Sequence, residues 1–129
     1  MFDLGRLGTV AKRVNFRPGA VIVREGDTVP QVMYIISGGE VVVFKSYKQK
    51  NEALLATLGR GSLLGEMSLF LGRPRVATVI AKTPVGALEI TKGNMDNIMK
   101  EFPDMPYKIM DMAFSRLKES GESGGAAIL

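Results

Sequence analysis

The sequence predicts a mainly β protein, an antiparallel β-roll or jelly roll that carries one short internal helix and closes with two C-terminal helices. Three observations predict it. From residue 16 onward, short apolar or alternating runs are separated by Gly, Pro, Asn and Asp; the stretch GEMSLFLG interrupts them with helical character; and after residue 91 the apolar period becomes helix-like.

Taken in order, the opening MFDLGRLGTVAKR carries Phe2, Leu4 and Leu7 but is broken by glycines, so a brief N-terminal segment is expected there. FRPGAVIVREGD, VMYIISGGEVVVFKS, EALLATLGRGS and RVATVIAKTPVGALEI then read as strands joined by turns. The tightest turns are expected at Gly26-Asp27 and Gly38-Gly39, where a positive φ would cost a residue that has a Cβ. In TKGNMDNIMKEF, Asn94 reads as the N-cap of a helix whose Met95, Ile98, Met99 and Phe102 recur at helical spacing up to Pro103. Tyr107, Met110, Phe114 and Leu117 form one stripe on a second helix, a packing face rather than a cofactor box. The closing SGESGGAAIL reads as a flexible tail, which gives one domain over residues 1–119 and a tail over 120–129.

Composition narrows the chemistry. The chain has 129 residues, enough for one domain with a real core, and its 46% hydrophobic and 23% charged residues suit a soluble globular protein. No apolar stretch approaches the roughly 18 residues a membrane-spanning helix needs, and the N-terminus lacks the apolar core of a secretory signal, so a cytoplasmic location and no membrane partner are expected. There is no cysteine and no histidine. Disulfides, thiolate nucleophiles and cysteine-held iron-sulfur clusters are thereby excluded, and most zinc sites, the usual haem ligand and serine-histidine catalysis are removed. Neither a metal nor a catalytic residue is expected. Seventeen Lys and Arg against thirteen Asp and Glu give a formal charge of +4, which suits an anionic ligand and is too mild to indicate nucleic acid. Lys45, Lys48 and Lys50 read as solvated charges at a hairpin tip.

Residues 63–79, LLGEMSLFLGRPRVATV, place the carboxylate of Glu66 and the pair Arg73 and Arg75 inside a run that belongs in a core. A short helix starting after Gly65 would expose N-terminal amides that attract an anion, phosphate above all. Glu66 would repel phosphate, but a carboxylate is a natural acceptor for a sugar hydroxyl. Arg75 offers a planar fork of donors that matches phosphate oxygens, and Pro74 sets the direction in which the chain enters the next strand. A ribose phosphate fits that pair. Taken singly, Glu66 and Arg75 could equally form a loop-stabilising salt bridge; Ser68 and Thr78 could be small polar fillers; Arg73 reads as solvent-exposed.

The stretch resembles the phosphate-binding cassette of the cyclic nucleotide-binding domain family, which includes regulatory subunits of the cAMP-dependent kinase, nucleotide-gated channels and bacterial Crp-type regulators. Gly65-Glu66-Met67-Ser68-Leu69 and Pro74-Arg75-Val76-Ala77-Thr78 carry the resemblance, supported upstream by FRPG, REGD and YIISGGEV, and it extends over about residues 14 to 119. It implies that Arg75 and the amides after Gly65, at Glu66, Met67 and Ser68, hold the cyclic phosphate. It also implies that Glu66 accepts from the ribose 2′-OH, that Val76 and Ala77 adjoin the ligand, and that Val43 and Leu55 wall the base. In members that prefer cGMP the residue after the arginine is often a threonine that meets guanine; Val76 has no hydroxyl, so the resemblance favours cAMP over cGMP. Base-capping candidates on the last helix are Phe114, Leu117 and Ser120.

The function expected is therefore a sensor or regulatory module that changes conformation on binding a cyclic nucleotide and acts on an effector protein not identified by the sequence. The alternative is a ligand-free interaction scaffold of the same fold. A cupin-type enzyme would need histidines for its metal, and a Crp-type DNA-binding regulator would need a recognition helix after residue 120, so neither catalysis nor a nucleic-acid partner is expected.

Overall fold

The computed structural model describes residues 3–120, with side chains described as far as residue 112. Phe2 and the tail at 121–129 lie outside the described residues, as do the side chains of Phe114, Leu117 and Ser120.

The elements follow in the order α1 (Leu4–Leu7), β1 (Lys12–Phe16), β2 (Val21–Val23), β3 (Val32–Gly38), β4 (Val41–Lys45), β5 (Ala53–Leu58), β6 (Leu63–Leu64), α2 (Glu66–Leu71), β7 (Thr78–Ala81), β8 (Val85–Thr91), α3 (Lys92–Glu101) and α4 (Met105–Ser120). The strands form two four-stranded sheets, β1-β8-β3-β6 and β2-β7-β4-β5, and each pairing is antiparallel. This is the β-roll that the spacing of apolar runs predicts.

β3 explains how the layers stack. Along VMYII, Met33 and Ile35 enter one core cluster with Leu88 and Ile90 of β8, while Val32, Tyr34 and Ile36 enter another with Val43 and Val79 of the second sheet. Successive side chains point to opposite faces of a strand, so a strand covered on both faces reads as a continuous apolar run. The first sheet thus packs on the second sheet with one face. Its other face meets Leu4 and Leu7 of α1, Leu69 of α2, Met95 and Ile98 of α3, and Met105 and Ile109 of α4.

Several details depart from expectation. β1, KRVNF, is an edge strand paired with β8, with Lys12, Arg13 and Asn15 exposed and Val14 and Phe16 half-buried. A strand so placed buries little and leaves a weak apolar signature. Of the expected turn glycines, Gly26 and Gly39 take positive φ, +89° and +86°, whereas Gly38 ends β3. Gly39 is also packed too closely to carry a Cβ, which would run into the Pro84 carbonyl oxygen.

The start of α3 corrects the Asn94 assignment. Thr91 is the N-cap: its hydroxyl accepts from Asn94 N at 3.2 Å, and Asn94 Oδ1 accepts from Thr91 N at 2.8 Å. This reciprocal box places Asn94 at the third helical position and satisfies two end donors at once. On α4 the inward stripe begins at Met105 and continues through Ile109 to the half-buried Met112, while Tyr107 and Met110 stand 72% and 52% exposed. The helix carries two apolar stripes, and the one starting beside α3 takes the core.

Removing the Thr91 hydroxyl leaves the Asn94 amide without its acceptor. Thr91→Ala is expected to lower unfolding stability by about 1 kcal/mol, read as a shifted urea midpoint at unchanged slope.

Candidate functional site

β6 delivers the chain to the site, since Leu63 and Leu64 pair with Ile35 and Tyr34 of β3. Gly65 follows with φ +86°, caps α2 without a side-chain bond, and lies so close to Arg75 that a Cβ there would collide with Nη1. α2 is held down by Leu69, which is 1% exposed in the helix-side core. It ends at Gly72, whose φ of +63° lets its amide donate back to Ser68 O at 3.0 Å.

After the exposed Arg73 and Pro74, Arg75 is tied to the turn following β2: its amide donates to Asp27 O at 2.9 Å, and Gly26 N donates to its carbonyl at 2.8 Å. Glu25 N donates to Thr78 Oγ1 at 3.1 Å. Lys45 Nζ, at the end of β4, donates to Val76 O at 3.0 Å and pairs with Glu25 at 3.0 Å. Glu25 in turn accepts from Ser46 N at 2.9 Å, and the Ser46 amide with the Lys45 ammonium holds its carboxyl below the ordinary glutamate value. Lys45 is therefore not a free hairpin-tip charge.

Arg75 is 8% exposed. Nη2 donates to Val32 O at 2.8 Å and to Pro30 O at 3.1 Å. Nη1 is buried and, like Ser68 Oγ, has no hydrogen-bond partner among the described residues. Burial pushes the guanidinium pKa down, while the Tyr34 phenol, Asp27 and Glu66 push it back up. Arginine starts so high that it stays charged. Tyr34 is displaced the other way: burial and the charge of Glu89 raise its pKa against the pull of Arg75. The hydrogen bonds of the guanidinium thus go to main-chain oxygens, and the carboxylates act on it through charge.

Gly65, Met67 and Ser68 on one side and Arg75, Val76 and Ala77 on the other line a common cleft of about 310 Å³, its open mouth included, with Leu64, Pro74, Val23 and Val79. Glu66, the first residue of α2, is 5% exposed and near enough to influence Arg75, but is not part of the lining. Val43 and Leu55 do not line the cleft either. Val43 is fully buried opposite Val79, and Leu55 packs half-buried against the same core. Sequence reasoning did not find the carbonyls of Pro30 and Val32, because main-chain acceptors leave no residue signature. Nor did it find the Lys45–Glu25 pair, whose members stand twenty residues apart in unrelated runs. Among the described residues, no group of three or more His, Cys, Asp or Glu is arranged to hold a metal.

Comparison with known proteins gives an independent view. A family model described as Cyclic nucleotide-binding domain matches residues 13–102. The Cyclic nucleotide-gated channel beta-3 of Homo sapiens is 31% identical over 118 residues, covering 89% of this chain and 14% of that protein. The Cyclic AMP receptor protein of Thermus thermophilus is 28% identical over 102 residues, covering 79% of this chain and 47% of that protein. The chain therefore spans less than half the length of either relative. Among solved structures, the Thermus thermophilus Catabolite Activator Protein superposes with a TM-score of 0.79 at 25% identity, over 93% of this chain and 56% of that one.

The contact between Gly65 and Arg75 is sensitive to a single methyl group. Gly65→Ala is expected to displace the guanidinium and to destabilise the fold by about 1–3 kcal/mol through its left-handed backbone, measured by denaturant unfolding.

Proposed function

The chain belongs to the cyclic nucleotide-binding domain family, and from that premise we propose that it is a regulatory module that binds cAMP in the cleft between α2 and Arg75. The observation that carries this reading is the Arg75 side chain. Nη2 is fixed by two main-chain oxygens, which orients the fork, while Nη1 and Ser68 Oγ are buried without a partner among the described residues, and both residues line the cleft. A buried donor without an acceptor is costly, and an anionic oxygen satisfies a guanidinium better than a neutral one. A cyclic phosphate would take that place, held by Arg75 and the amides of Glu66, Met67 and Ser68, with the Glu66 carboxylate accepting from the ribose hydroxyl.

The preference for cAMP rests on Val76. β7 begins at Thr78, so residues 75–77 precede the regular strand, and Arg75 and Val76 both line the cleft instead of alternating away from each other. Val76 can pack on a base but cannot donate to guanine. Val43, paired with the cleft residue Val79, and Leu55 in the same core cluster would wall the base.

A conformational response has a route in the packing. Leu69 of α2 shares one core with α3 and α4, so a ligand that binds one position of α2 better than another would bias those helices, by no more than its differential affinity. The domain proposed covers residues 1–119 and works by binding, without chemistry of its own, on an effector elsewhere in a longer chain or in another protein. No described helix is long and apolar enough to cross a membrane, and we place the module in the cytoplasm.

Arg75→Ala tests the assignment. It is expected to weaken cAMP binding by about 2–5 kcal/mol in calorimetric titration, with the fold checked by circular dichroism. Unchanged affinity would move the phosphate elsewhere and favour the scaffold reading.

A further inference from the structure

Lys45 ends β4, and its neighbour β7 begins at Thr78, opposite Phe44. Arg75, Val76 and Ala77 therefore run ahead of the paired strand, past the point where β4 can offer main-chain donors. On the β2 side, Gly26 and Asp27 hold Arg75 by two hydrogen bonds. On the β4 side, the donor to Val76 O is the Lys45 ammonium. A lysine on a flexible four-carbon stem makes a poor fixed donor by itself. Here Glu25 steadies it: one carboxylate oxygen meets the ammonium at 3.0 Å, and the other accepts from the Ser46 amide at 2.9 Å. Glu25 also donates its own amide to Thr78 Oγ1, which closes a ring through Glu25, Lys45, Val76 and Thr78.

We propose that Lys45, fixed by Glu25, is a positioning residue for the nucleotide site, a side-chain substitute for the missing rung of the β4–β7 ladder that sets the course of the main chain carrying Arg75. The inference rests on the reading of the cleft as that site. Neither side chain lines the cleft. The Lys45 and Glu25 side chains are 51% and 30% exposed, and ion pairs of that kind add little to global stability. What the pair controls is local: if the Val76 carbonyl is released, the peptide planes on either side can turn, and the fork of Arg75 and the face of Val76 no longer meet the ligand in one fixed geometry.

The test is calorimetric titration of cAMP into the unaltered chain, Lys45→Met, Lys45→Arg and the double variant Lys45→Met with Glu25→Gln, alongside thermal unfolding and amide spectra of each ligand-free protein. Lys45→Met keeps the stem and loses the donor. It is expected to bind roughly three- to tenfold more weakly, the effect of one charge-assisted hydrogen bond, with the unfolding midpoint almost unmoved. Lys45→Arg should restore most of the affinity. Glu25→Gln should add little to Lys45→Met, because both act through one contact. The amide signals of Val76 and Ala77 should move in Lys45→Met while those of the helices stay in place.

Equal affinity in Lys45→Met and the unaltered chain, with Arg75→Ala still impaired, would overturn the positioning role and leave the site assignment standing. So would a loss that Lys45→Arg does not repair, or one that follows the unfolding midpoint. No binding by the unaltered chain would overturn both.

Discussion

Taking a guanidinium out of water costs several kcal/mol unless its donors find acceptors, and the surroundings of Arg75 are organised around that demand. Two main-chain oxygens, of Pro30 just before β3 and of Val32 at its start, meet Nη2. The turn after β2 fixes the Arg75 backbone on both its amide and its carbonyl. Gly65 supplies the space, because a side chain at that point would occupy the position of Nη1. What remains is one buried charged donor, Nη1, which like the buried Ser68 hydroxyl belongs to a residue that lines the cleft. Main-chain acceptors suit this role better than a carboxylate would: they hold the fork without neutralising it, so its attraction for an anion is kept.

The layering of the fold connects this site to the helices. β3 and β8 are buried on both faces, with one row of side chains in the inter-sheet core that backs the cleft and the other in the core shared with α1, α3 and α4. α2 carries cleft residues Met67 and Ser68 on the same short helix that plants Leu69 in the helix-side core. Close-packed interiors transmit displacement rather than absorb it, so a shift of α2 cannot be confined to the cleft. A regulatory reading of the domain therefore has a physical route, whatever effector lies beyond the helices.

Much of this was legible in the sequence because the relevant signals are local. Gly65, Glu66, Pro74 and Arg75 stand in one stretch, and the apolar run of β3 and the periodicity after residue 91 announce a doubly covered strand and two helices. The parts that were not legible depend on partners far away in the chain. β1 is a polar edge strand recognisable by its pairing with β8, not by its residues. The inward stripe of α4 is chosen by where the helix lands, and Met105 and Ile109 take it over the competing stripe of Tyr107 and Met110. Asn94 was recognised as a capping residue but at the wrong position, since Thr91 shares the work. Lys45 resembled its neighbours Lys48 and Lys50 until the structure placed it against Val76. Val43 and Leu55 share a core cluster with the cleft residues Val23 and Val79, and Val43 pairs with Val79, although neither lines the cleft itself.

The central claim is that this chain binds a cyclic nucleotide through Arg75, and the most direct test is isothermal titration of the purified domain with cAMP and with cGMP, after denaturing and refolding to strip nucleotide carried from the expression host. The account predicts saturable binding of cAMP at one site per chain, tighter than that of cGMP. Absence of saturable binding for both nucleotides, in a protein whose spectrum shows the β-roll intact, would contradict it.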